Sequence, residues 1–158
     1  MAHLTKTMFI NVPVGELDAV VKDPLQWPRF WVGMSDPERV FGDGSPGTKA
    51  EFTMLLMGVR THMIDRTIAE RHNDDGSTDW RWEFEGATSG WLTCHHEPKE
   101  GGTETTTDFE YSVPGSLLGK AVDRLLLEKR MRRDFENTLE NLKLMAEFGV
   151  STPLKATA

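Results

Sequence analysis

The sequence predicts an α+β protein in which a curved antiparallel sheet of about six to seven strands wraps one long C-terminal helix, with two short helices after the first strand. Three observations carry that reading. Short alternating segments fill most of the chain, connections of hairpin length separate them, and a long amphipathic segment comes last. The 158 residues suffice for one hydrophobic core, so residues 1–148 are expected to form a single domain and 149–158 a flexible tail.

Leu4 to Asn11 alternates loosely and reads as the opening strand. Val14 to Lys22 follows as a short helix that Asp23 and Pro24 stop. A second short helix is expected from Pro24 to Val32, with proline in its first turn, displaying Trp27, Phe30 and Trp31 as a lid or plug. Glu38 to Phe41 and Thr48 to Met57 read as strands flanking a glycine turn, the latter with Ala50, Phe52, Met54 and Leu56 on one face. Further strands are expected at Val59 to Glu70, Thr78 to Glu85, Gly90 to Glu97 and Thr103 to Val113. Pro114 and Gly115 close the last of them, and Ser116 is placed to cap a helix running to Glu147, roughly 48 Å long.

Leu118, Val122, Leu125, Met131, Phe135, Leu139 and Leu142 share a broad stripe of that helix, the pattern of a helix covering a core. Arg124, Glu128 and Arg132 interrupt the stripe. Either Glu128 pairs with Arg132, four residues on, or the three charges rim a cavity beneath the helix. A curved sheet and a single helix cannot touch everywhere, so a cavity between them is expected, lined by the inward residues of each strand.

Facing follows from alternation. Trp80, Trp82 and Phe84 oppose Arg81, Glu83 and Glu85, while Thr105, Thr107, Phe109 and Tyr111 oppose Glu104, Thr106, Asp108 and Glu110. The apolar sets point inward. On the strand from Val59, one face carries Arg60, His62, Ile64, Arg66 and Ile68 and the other Thr61, Met63, Asp65 and Thr67, and periodicity does not choose between them.

Composition excludes several classes of function. A formal charge of −7 argues against a general nucleic-acid or anionic-membrane surface, and no apolar run approaches the 18 or so residues of a membrane span. The lone Cys94 has no partner for an internal disulfide and no secretion signal precedes the first strand, so a cytoplasmic location is expected. Gly42 to Gly47 spell Gly-x-Gly-x-x-Gly, yet a strand follows where a dinucleotide site needs a helix, so the glycines read as a turn. His95 and His96 are adjacent on a strand and point to opposite faces, which argues against a shared metal. No metal or cofactor is expected.

The opening strand, the short helices with Asp23, Pro24, Trp27 and Pro28, the turn at Gly42 to Gly47, and the ending Gly102, Thr103, Phe109, Tyr111, Pro114 and Gly115 resemble the START-like helix-grip (SRPBCC) superfamily. More narrowly, the chain resembles the polyketide cyclase/dehydrase group over nearly its whole length. The resemblance implies a pocket between sheet and long helix for lipids, sterols, polyketides or similar molecules, with catalysis in only some members. It also implies that Trp27, before Pro28, lines the pocket, and that Arg66 points into it, turning Arg60, His62 and Ile64 inward. The last strand departs from the cyclases, with Thr107 and Phe109 where they carry bulky and amide side chains.

The function expected first is therefore binding of a hydrophobic or aromatic small molecule. Trp27, Trp31, Met54, Leu56, Trp80 and Trp82 would hold it together with Phe84, Thr107, Phe109, Tyr111, Leu118 and Val122. Arg60, His62 or Arg66 would orient it beside Ile64. The alternative is a cyclase, aromatase or dehydratase in the same pocket, with His62, Arg66 or Tyr111 moving protons. A third reading is a protein-interaction module whose core is too full for a ligand.

Overall fold

A computed structural model describes residues 1–113, 115 and 123–149. Seven strands form one antiparallel sheet: β1 (Ala2–Ile10), β2 (Arg39–Phe41), β3 (Lys49–Leu56), β4 (Val59–His72), β5 (Thr78–Gly86), β6 (Ser89–Lys99) and β7 (Gly102–Ser112). Their order is β1-β7-β6-β5-β4-β3-β2. From β2 onward every neighbour in space is a neighbour in sequence, as short hairpin connections require. The first strand instead pairs with the last, Leu4 opposite Phe109 and Ile10 opposite Thr103.

The long connection from β1 to β2 holds α1 (Val14–Lys22) and a single 3-10 turn, Trp27–Arg29, where a longer second helix was expected. Pro28 lacks the amide that would bond to the carbonyl of Pro24 four residues back, and the segment closes successive three-residue turns instead, Arg29 N to Gln26 O and Phe30 N to Trp27 O. Partners from elsewhere fix it. Trp27 Nε1 donates to Val21 O at 2.8 Å, and the final helix supplies Asn141 Nδ2 to Phe30 O and Thr138 Oγ1 to Val32 N, both at 3.1 Å. Those two polar residues are buried mid-helix because their side chains satisfy irregular backbone.

The final helix, α2 (Arg124–Phe148), begins later than the sequence suggested. Asp123 adopts extended backbone and accepts from Leu125 N, which is the geometry of an N-cap. The helix is thus about 37 Å long. Ser116, Leu118, Val122 and residues 150–158 lie outside the described residues. Leu125, expected to face inward, is 66% exposed. Arg124 pairs with Glu128 at 3.0 Å on the solvent side and Arg132 is exposed, so the three charges form neither a cavity rim nor the expected Glu128–Arg132 pair.

Buried residues fall into two groups. One, toward α1, includes Ile10, Leu17, Trp27, Phe52, Met63, Trp80, Trp82 and Leu142. The other, toward the start of α2, includes Leu4, Phe109, Tyr111, Leu127, Met131, Phe135 and Leu139.

Beneath α1 lies a polar clasp. Asp18 Oδ1 accepts from His96 Nδ1 at 2.7 Å, Thr78 Oγ1 at 2.8 Å and Trp80 Nε1 at 2.9 Å, and His96 is wholly buried. Burial pushes the Asp18 carboxyl up, but hydrogen bonds from His96, Thr78 and Trp80 prevail and hold it below its ordinary value. His95, one residue away, faces out and pairs with Asp79 at 2.6 Å. The Gly42–Gly47 segment is a turn between β2 and β3. Gly44 has φ +97°, and a Cβ there would stand 2.0 Å from Lys22 O, so glycine is required where the turn meets the end of α1.

Candidate ligand-binding site

The two buried groups do not close completely on each other. Between them, bounded by β3 to β7, α2 and the segment around Trp27–Met34, is a partly open cavity of about 110 Å³. Phe52, Met63, Trp82 and Leu142 from one group face Phe109, Met131, Phe135 and Leu139 from the other. Phe109 is the hub of its aromatic wall. Its ring lies 5.2 Å from Tyr111, 5.5 Å from both Phe84 and Phe135, and 6.2 Å edge-on from Trp31. These separations suit aromatic contact, so the wall is held in shape by its own packing.

Of the residues expected at the site, Trp27, Trp31, Met54, Leu56, Trp82, Phe84, Thr107 and Phe109 line this cavity. Trp80 does not. It stacks on Trp82 at 5.5 Å, but its indole N–H is committed to Asp18 in the clasp. Tyr111 is buried behind Phe109, where burial and then the charge of Glu128 push its phenol up. Leu118 and Val122 are outside the described residues.

The expectation for β4 is corrected. Arg60 and His62 are exposed, Arg66 reaches Glu85 at 3.0 Å on the outer surface, and Ile64 shares their face. Thr61, Met63 and Asp65 line the cavity instead. Register explains why. Met63 pairs with Phe52, Asp65 with Phe84 and Thr67 with Trp82, and directly opposed residues project from the same face of a sheet. The acid–base roles assigned to His62 and Arg66 therefore have no geometric basis.

Most polar groups in the wall are already paired. Thr61 Oγ1 donates to Met54 O at 3.0 Å, Thr138 Oγ1 accepts from Val32 N, Asp134 accepts from Arg130, and Thr107 Oγ1 lies 3.6 Å from Cys94 Sγ. Burial pushes the Cys94 thiol up to about 12, so it stays protonated and is no nucleophile at neutral pH. Two cavity-lining residues differ. Asp65 Oδ1 and Trp82 Nε1 are sealed from solvent without a hydrogen-bond partner among the described residues.

Burial raises the Asp65 carboxyl well above the ordinary carboxylate range, and the positive charge of Arg66 only partly opposes this. Folding thus takes up a proton at Asp65. The stability tied to that proton is complete below the unfolded value of about 3.9 and is lost as pH rises through the folded one. Asp65→Asn, neutral at every pH, should match the parent in thermal stability near pH 4 and exceed it by a widening margin toward pH 8. Melting curves of the two proteins across that range check this; parallel curves would refute the assignment.

A seven-stranded antiparallel sheet gripping one long helix over an apolar cavity is the helix-grip architecture. Solved structures share it. TTHA0849 from Thermus thermophilus superposes with a TM-score of 0.70 at 19% identity, covering 92% of this chain and 97% of that one. A conserved protein from Geobacillus kaustophilus gives 0.69 at 12% identity, with 92% and 95% covered. CV1439 from Chromobacterium violaceum gives 0.64 at 15%, with 93% and 99% covered. Residues 1–147 match the family described as polyketide cyclase / dehydrase and lipid transport, and the chain belongs to that family. No curated protein matches the sequence. No helix among the described residues is long and apolar enough to cross a membrane.

Sequence reasoning missed Asp65, Met63, Asp134 and Thr138 as wall residues. The signal for the first two lay in strand pairing across the β3–β4 hairpin. For the α2 pair it lay in a small and an acidic residue sharing the helix face of Phe135 and Leu142.

Proposed function

We propose that the protein binds a compact hydrophobic or aromatic small molecule in the cavity between sheet and α2. The observation that carries this is the partly open, predominantly apolar space at the seam of the two buried groups, walled by tryptophan and phenylalanine. At about 110 Å³ it approaches the size of cavities that hold a single benzene-like ring and falls short of the several hundred Å³ typical of drug-sized ligands. A filled core, as an interaction module would have, leaves no such space. The family's description, which spans polyketide chemistry and lipid transport, accords with an apolar guest.

Trp27, Trp31 and Trp82 all line the cavity, so an occupant should change their emission. Titration with single-ring hydrocarbons and their oxygenated analogues is expected to alter tryptophan fluorescence saturably at micromolar to millimolar concentration. No saturable change with any member of such a panel would refute the proposal.

A further inference from the structure

Among the described residues, five buried side-chain polar atoms have no hydrogen-bond partner, and three of them are neighbours: Asp65 Oδ1, Thr67 Oγ1 and Trp82 Nε1. Thr67 is directly opposite Trp82, and Asp65 lies two residues along β4 on the same face. Thr67 is 1% exposed and Trp82 4% exposed, and Asp65 and Trp82 belong to the cavity wall. Leaving one buried polar atom unpaired costs about 1–3 kcal/mol, so three in one place is a large local deficit. The remaining two, His96 Nε2 and Thr105 Oγ1, sit opposite each other in the α1 clasp, away from the cavity lining.

We infer that Asp65 and Trp82, backed by Thr67 behind the cavity wall, form an anchoring subsite for one hydroxyl or carbonyl oxygen carried on an otherwise hydrocarbon ring. This rests on the reading of the cavity as a ligand site. The chemistry of the three groups selects the ligand. An indole N–H only donates, a threonine hydroxyl donates and accepts, and a carboxyl accepts when ionised and also donates when protonated. A hydroxyl accepts from Trp82 and donates to Asp65, and a carbonyl accepts from Trp82 and from protonated Asp65. An ammonium leaves the indole N–H unpaired. A carboxylate or phosphate would bring a full negative charge into a cavity that no lysine or arginine among the described residues lines, the adjacent Arg66 being turned outward to Glu85. Trp82 is held for this role by its near-parallel stack on Trp80, the planes 6° apart. The raised Asp65 carboxyl is consistent with a neutral anchor.

Phenol, toluene and benzoate have similar shape and differ in one group, so they separate the possibilities by calorimetric titration of the parent, Asp65→Leu and Trp82→Phe. Each substitution should lower the ratio of phenol to toluene affinity by about tenfold, the worth of a hydrogen bond lost from a buried partner. Asp65→Val, closer in size to aspartate than leucine is, supplies the same measurement should either protein fold poorly. If the ratio is the same in all these proteins, the anchor is wrong although toluene binding leaves the cavity reading standing. Benzoate binding as tightly as phenol would also overturn the anchor. Failure of both phenol and toluene to bind overturns the anchor and the ligand site together.

Discussion

Replacing Asp18 with alanine should destabilise the protein by about 3–5 kcal/mol, the cost of removing one member of a buried charged network while its partners stay behind. His96, Thr78 and Trp80 all direct a donor at one Asp18 oxygen, and none has water at hand to replace it. Chemical denaturation at pH 7 measures the loss; less than about 1 kcal/mol would show that the clasp is dispensable. The effect also has a pH signature. Because the folded Asp18 carboxyl lies below its unfolded value, its contribution is present above the unfolded value and is lost as pH falls through the folded one. The gap between parent and Asp18→Ala should therefore narrow in strong acid. Asp65 gives the opposite slope, since its carboxyl is raised, so the two aspartates are distinguishable by pH alone.

Phe109→Ala is expected to cost about 3–5 kcal/mol as well, through the hole it opens in a packed aromatic wall. Here stability and binding should move in opposite directions. Phe109 touches Trp31, Phe84, Tyr111 and Phe135 and borders the cavity, so its removal enlarges the space available to a guest. Two-ring hydrocarbons such as naphthalene should gain affinity relative to toluene. Equal relative affinity in parent and variant would mean that the cavity measured beside Phe109 is not where these molecules bind.

The sheet was legible in the sequence nearly strand for strand, because alternation, turn glycines and hairpin-length connections all agree there. The inward set on β5 and β7 was legible for the same reason: Trp82, Phe84 and Phe109 stand against charged neighbours. β4 was not, and its pairing shows the cause. Counting back from the β4–β5 turn, where His72 pairs with Thr78, an uninterrupted ladder would set Ile68 opposite Trp82 and Arg66 opposite Phe84. Counting from the β3–β4 turn, where Leu56 pairs with Val59, sets Met63 opposite Phe52 and Asp65 opposite Ala50. The two hairpins demand opposite facings, and a bulge between Thr67 and Ala69 reconciles them. One extra residue, exposed Ile68, thus returns Asp65 and Thr67 to the cavity face while Glu70 turns toward Lys22 at the end of α1. Nothing in local composition marks that bulge, and the analogy that turned Arg66 inward fails on this residue. The start of α2 was misread for a simpler reason. Asp123 is an ordinary residue within an amphipathic pattern until its carboxylate is seen to cap Leu125.

The cavity's position at the seam of two buried groups bears on what counts as the folded unit. A guest there touches Phe52 and Trp82 on one side and Phe109 and Phe135 on the other, so it is shared filling for two half-cores that otherwise meet across a gap. Binding only to the assembled state, it draws both halves toward order by mass action. If the proposed binding holds, occupancy becomes a term in the protein's own cooperativity, and the hydrophobic core is completed by the guest.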